Sequence, residues 1–122
     1  MRRCLIVDDS SVIRKIARVY LEELGYEITE AENGREALAS CRQNPPDAIF
    51  LDWQMPEMGG YEFLGALRVQ NTGRRPYVVY CTSENDFADI SRAYAAGADA
   101  CLLKPFDRAA LEEKFAPSNF LR

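Results

Sequence analysis

The stretch CLIVDDSS, Cys4 to Ser11, is the one whose reading decides the fold. Four apolar residues in an unbroken run, rather than alternating with polar ones, suit a strand covered on both faces. The run stops at Asp8-Asp9, and Ser10 or Ser11 can cap a helix behind it. One aspartate is enough to turn a chain or cap a helix. Two side by side repel, by about 4 kcal/mol for unit charges 4 Å apart at an effective dielectric of 20. Something must offset that cost.

Working outward, the same unit returns. Strand candidates are Arg3–Asp8, Tyr26–Ala31, Asp47–Asp52, Pro76–Thr82 and Asp99–Lys104. Four hold near-continuous apolar runs, CLIV, AIFL, VVYC and CLL, whereas the second, YEITEA, is the most polar and reads as an edge strand. Between and after them lie segments of helical period. Residues 11–24 place Ile13, Ile16, Ala17, Tyr20 and Leu24 on one stripe, and Gly25 suits the left-handed position beyond the end. Residues 34–43 follow Asn33 as N-cap, with Glu36 at the capping-box position. Residues 61–70 carry Phe63, Leu64 and Leu67. Residues 86–96 carry Phe87, Ile90, Ala93 and Tyr94, closed by Gly97, and residues 108–116 carry Leu111 and Phe115 behind an Asp107 cap. Five β-α units joined by right-handed crossovers make a parallel sheet with helices on both faces. The last six residues, PSNFLR, read as a short tail.

Composition narrows the chemistry. The chain has 122 residues, room for one domain, residues 1–122. Apolar residues make up 48 % and charged residues 28 %, the balance of a globular protein. The net charge of −4 and a pI near 4.9 argue against general affinity for nucleic acid. No apolar run reaches the roughly 20 residues of a membrane span. Met1-Arg2-Arg3 leads straight into the first strand, so no signal peptide is expected and a cytoplasmic location is the default. Cys4, Cys41, Cys81 and Cys101 form no CxxC pair; they read as reduced core thiols, with a disulfide or metal site as the alternative. There is no histidine. Imidazole metal sites and Ser-His or Cys-His catalysis are thereby excluded, and the chain cannot carry a phosphohistidine of its own.

In an open parallel sheet, ligands bind beyond the carboxyl ends of the strands. Those ends are Asp8-Asp9, Asp52, Thr82-Ser83 and Lys104-Pro105. Three acids, hydroxyls and a lone cation would converge there if strands one, three, four and five are neighbours. The motifs VDDS, LDWQMPEMGG, YCTSEND and LLKPFD, in that order, resemble the receiver domain of bacterial response regulators, and most of all the single-domain, CheY-like chemotaxis type. The resemblance runs from the first strand to the fifth helix. It brings with it the flavodoxin-like strand order 2-1-3-4-5, of which CheY is itself a standing example.

What the resemblance implies is specific. Asp52 is the phosphoacceptor, taking a phosphoryl group from a histidine kinase. Asp9 and Asp52 bind Mg2+ directly, Asp8 binds it through water, and the backbone carbonyl of Gln54 completes the protein's share. Three carboxylates at one rim are oxygen ligands of the kind a hard divalent cation takes. Lys104 supplies a point charge to the phosphoryl oxygens, Thr82 a hydroxyl, and the small Ser83 leaves room for entry. Gln54 and Glu84 flank the path of attacking water and set how long the phosphoryl group lasts. Lys104-Pro105 is a candidate cis bond, since X-Pro bonds disfavour cis by only about 0.5–1 kcal/mol. Local readings stand beside these: Asp8 or Asp9 as a helix cap, Asp52 as a turn residue, Lys104 as an exposed loop lysine and Thr82 as a locally bonded strand end.

Receivers usually carry an aromatic switch residue three positions before the lysine. Here it is Cys101, so the switch, Thr82 with Cys101, is expected to act through movement of the loop after Thr82 and the fourth helix. Tyr80, Phe87 or Tyr94 could instead fill the space. The resemblance points to an output surface on helix four, strand five and helix five, with Tyr94, Ala98, Asp99, Arg108 and Glu112 as candidate contacts. The expected function is a phosphorylation-controlled signal, with a flagellar motor switch as a candidate target. The alternative is a phosphate sink or relay intermediate passing the group to a histidine phosphotransfer protein. A monomer or weak dimer is expected, with no membrane insertion. An enzyme on this scaffold is disfavoured. A flavodoxin wants a hydroxyl- and glycine-rich loop after the first strand, and a haloacid-dehalogenase-type phosphatase wants acid-x-acid there; Asp8-Asp9 is neither.

Overall fold

This computed structural model describes residues 2–55, 57–70, 75–83 and 87–116. Strands and helices alternate through the chain: β1 (Arg3–Val7), α1 (Ser11–Glu23), β2 (Glu27–Ala31), α2 (Gly34–Gln43), β3 (Ala48–Asp52), α3 (Gly60–Val69), β4 (Tyr77–Thr82), α4 (Phe87–Ala96), β5 (Ala100–Leu103) and α5 (Arg108–Phe115). The five strands form one sheet in the order β2-β1-β3-β4-β5, every pair parallel. The expected architecture is present, with β2 at an edge.

Each element starts and stops for a local reason. Ser10 Oγ accepts from the Ile13 N–H, Asn33 Oδ1 from the Glu36 N–H, and Asp107 Oδ1 from the Ala110 N–H, so three helices open on side-chain caps. The Glu36 carboxylate reaches back, but to the Glu32 N–H rather than to that of the cap residue. α1 and α4 are followed by Gly25 and Gly97 at positive φ, +96° and +114°.

The apolar strands are buried on both faces, as their unbroken runs require. On one side Leu5, Ile49, Leu51, Val78 and Tyr80 pack with Leu38, Phe63, Leu64 and Leu67 of α2 and α3 and with Ala93 of α4. On the other, Ile6, Phe50 and Val79 pack with Ala17 and Leu21 of α1 and Leu111 and Phe115 of α5. The Tyr26 hydroxyl, leading into the edge strand, donates to the Phe115 carbonyl at 2.6 Å.

Two stripes differ from expectation. α1 buries Ala17 and Leu21, an i, i+4 pair, with Ile13, Tyr20 and Leu24 on its flanks. Ile16 lies about 100° round the helix from Ala17 and is 38 % exposed. α4 buries Asp89 and Ala93, while Phe87 is 86 % exposed and Tyr94 about half exposed. Phe87 and Tyr94 fall on the wrong turn phase to face the sheet, whereas Ala93 faces it. Cys4, Cys41 and Cys81 are buried free thiols and Cys101 is half-buried. Among the described residues no helix is long and apolar enough to cross a membrane. The proposed tail, 117–122, lies outside the described residues.

Candidate functional site

Register puts the strand ends level. Val7 pairs with Leu51, Asp52 with Cys81, and Thr82 with Leu103. Asp8, Asp9, Asp52, Thr82 and Lys104 therefore emerge at one rim, although 96 residues separate Asp8 from Lys104. A carboxylate oxygen from each of Asp8, Asp9 and Asp52 lies within 4.8 Å of the others. Asp8 and Asp52 are almost wholly buried, and Asp9 is exposed.

Lys104 closes the cluster. Its Nζ donates to Asp8 Oδ2 and to Asp52 Oδ1, both at 2.9 Å. The Lys104–Pro105 peptide bond is cis, as expected. Asp8 is satisfied on both oxygens, because Oδ1 accepts from the Ser10 N–H at 2.9 Å. Asp8 therefore shapes the turn before α1 as well as facing the site. Repulsion between the acids is offset here by one ammonium and one backbone donor. That leaves the cluster of three carboxylates and one cation two negative charges in excess. The oxygen donors, their spacing and that excess fit a hard divalent cation.

Burial pushes the Asp52 carboxyl up to about 6, with the charges of Asp8 and Asp9 adding to the rise and Lys104 opposing it. Burial acts to lower Lys104, but its hydrogen bonds to Asp52 and Asp8 outweigh that and carry it up to about 12. At neutral pH both groups are charged.

The other expected residues are placed unevenly. Thr82 is fully buried at the end of β4, and its carbonyl accepts from the Lys104 N–H at 2.9 Å. Ser83 is exposed and lines, with Ile13, Ile16, Lys104, Pro105 and Phe106, a cleft of about 310 Å3 beside the cluster. Gln54 is exposed on the turn after Asp52. Glu84 lies outside the described residues. Cys101 pairs in register with Tyr80, and Tyr94 lies close enough that its hydroxyl and the Cys101 thiol perturb each other. Of the neighbours offered to fill the space beside Cys101, Tyr80 is interior and Phe87 points to solvent.

On the output surface, two candidate contacts are corrected. Ala98 is buried, and Asp99 is engaged by Arg68, Arg75 and the Val78 N–H. These contacts tie the α4–β5 turn to α3 and β4, and sequence alone does not show them. Sequence reading also missed Arg14. Its Nη1 donates to the Asp8 carbonyl at 2.7 Å while Nε bonds Glu30, so it clamps the strand end that carries the acids. A basic residue one turn into a helix carries no special signal.

A family profile for the response regulator receiver domain matches residues 4–116. The chain belongs to this receiver family. Among similar proteins, a receiver relative, the chemotaxis protein CheY1 of Helicobacter pylori, is 36 % identical over 114 residues, covering 92 % of each chain. The transcriptional regulatory protein BtsR of Escherichia coli is 38 % identical, but the match spans 47 % of its length. Among solved structures, the receiver fold is shared with the chemotaxis response regulator CheY4 of Vibrio cholerae at a TM-score of 0.87 and 36 % identity, covering 93 % of this chain and 94 % of that one. The receiver domain of the sensor histidine kinase PA1611 of Pseudomonas aeruginosa, solved with a magnesium ion coordinated in its active site cleft, has a TM-score of 0.83 and 31 % identity, with 92 % of each covered.

Proposed function

We propose that this receiver is the phosphoaccepting output of a two-component system, and that Asp52 is the residue esterified. The observation that carries the reading is the Lys104 ammonium bridging Asp8 and Asp52 beside Asp9. Lys104 holds Oδ1, so we assign the attack to Oδ2. Asp52 Oδ2 attacks phosphorus, the bond from phosphorus to the partner's imidazole nitrogen breaks, and the imidazole leaves. Phosphoryl transfer needs little from a protein beyond alignment and charge balance. Asp52 is ionised for the attack, and Lys104 can turn from the carboxylate to the incoming phosphoryl oxygens. Thr82, one residue beyond Cys81, the register partner of Asp52 on the adjacent strand, offers its hydroxyl.

Asp8, Asp9, Asp52 and the Gln54 carbonyl are the groups we assign to magnesium, which when bound would offset charge on the phosphoryl oxygens. The phosphoryl donor is a histidine kinase. Similarity to CheY1 and CheY4 favours a chemotaxis output read by a partner protein over a relay role.

Trp53 follows Asp52 directly, so its fluorescence reports on the site. It should change on adding magnesium and again on adding acetyl phosphate, and Asp52→Asn should abolish the second change. A full second response in Asp52→Asn rules Asp52 out as acceptor. We assign phosphoryl lifetime to Gln54 and Glu84. Alanine at either should alter dephosphorylation timed on the purified phosphoprotein; equal rates at both positions remove them from that role.

A further inference from the structure

α4 is held to the sheet in an unusual way. The side chains it buries are Ala93 and, one turn earlier, Asp89, which is 3 % exposed. Its first residue, Phe87, points to solvent. The N-terminal half of the helix is thus anchored by a carboxylate. Among the described residues Asp89 Oδ2 has no hydrogen-bond partner, and Oδ1 has only a long contact of 3.4 Å from Arg92. Across the interface, Tyr80 on β4 is fully buried and its hydroxyl also lacks a partner. After burial itself, the charge of Asp89 is the largest influence holding that hydroxyl protonated. Tyr80 and Thr82 are two residues apart on one strand, so their side chains share the sheet face that α4 covers. Cys101, the strand neighbour of Tyr80, is a small side chain packed against the same core.

A buried phenol and a buried carboxylate oxygen, both unpaired and lodged in one interface, favour any arrangement in which they meet. Tyr80 shares its strand with Thr82, so a pull on Thr82 toward Asp52 bears on the strand segment that faces Asp89. We propose that a hydrogen bond from the Tyr80 hydroxyl to Asp89 Oδ2 forms when Asp52 is phosphorylated and locks α4 in its signalling position. This inference rests on the phosphoacceptor reading of Asp52. Tyr80 and Asp89 touch neither the phosphoryl group nor the cation; they act as positioning residues.

The test is hydrogen exchange across α4, with and without magnesium and acetyl phosphate, alongside intact-mass measurement of the phosphoryl adduct. In the parent chain the adduct should slow exchange in α4 by about tenfold, the lower range for a hydrogen bond to a charged group. Tyr80→Phe and Asp89→Leu should form the adduct to the parent's level and lose the slowing. Asp89→Asn, which keeps an oxygen to accept from Tyr80, should retain it, as a merely space-filling role would not require. Tyr80→Phe with the parent's full slowing at an equal adduct level overturns the proposal. A parent chain that forms no adduct overturns the phosphoacceptor reading first, and this inference with it.

Discussion

The doubled aspartate after β1 divides its work. Asp8 is buried, bonded to Lys104 and to the Ser10 N–H, while Asp9 stands in solvent facing the same space. Asp52 carries the cost of the arrangement, because burial and two neighbouring acids lift its carboxyl up to about 6. The sign of the consequence follows from proton binding. Between about pH 4 and 6 the folded, metal-free chain holds a proton on Asp52 that the unfolded chain has released. Stability therefore falls as pH rises through that window, by about 3 kcal/mol from this group. Unfolding free energies of the parent and Asp52→Asn from urea titrations, taken in chelator from about pH 4 to 7, should diverge by this amount, with the variant the more stable at neutrality. Parallel curves would show that Asp52 is not strained by its neighbours. That Asp8, Asp9, Asp52 and Lys104 come together was legible in the sequence, since each ends a strand of one parallel sheet. Arg14 and Asp89 were not legible. The first is a common helix residue, and the second is an acid whose burial depends on a neighbouring element.

At the scale of an element, the turn after β3 shows how a backbone contact positions a functional group. Of the paired glycines, Gly60 rather than Gly59 is constrained. A Cβ on Gly60 would lie 2.3 Å from the Asp52 carbonyl oxygen and 2.9 Å from Trp53 Cα, whereas one on Gly59 meets nothing closer than 3.5 Å. The Gly60 N–H also donates to the Trp53 carbonyl at 3.0 Å. Gly60→Ala should therefore destabilise the chain by about 2–3 kcal/mol in urea unfolding, the usual cost of overpacking, and weaken the Trp53 response to magnesium. Gly65, in the middle of α3 with open space around it, is the control. Gly65→Ala should stabilise by about 0.5–1 kcal/mol through helix propensity. If both variants unfold alike, close approach is not what Gly60 provides. The period of α3 and α5 was readable because their apolar residues fall on one face. α4 misled because its large side chains, Phe87 and Tyr94, belong to the surface.

For the whole molecule, the site is a product of strand order. A ligand that binds only the folded chain raises its stability by an amount set by concentration over Kd, about 2.7 kcal/mol at a hundredfold excess. Magnesium should thus raise the thermal midpoint of the parent in a concentration-dependent way, and Asp9→Asn should blunt the rise. An unchanged midpoint in the parent at millimolar magnesium would remove the cation from the site. The sequence by itself determined the alternation of strands and helices, the buried character of β1, β3 and β4, and which residues end each strand. Those are local properties, carried by apolar runs, caps and glycines. Only the tertiary structure decided that Lys104 bridges Asp8 and Asp52, that Asp9 is exposed while Asp8 is not, and that α4 buries a carboxylate opposite Tyr80. These depend on the register between strands far apart in the chain and on the rotation of each helix about its axis, and no local pattern encodes either.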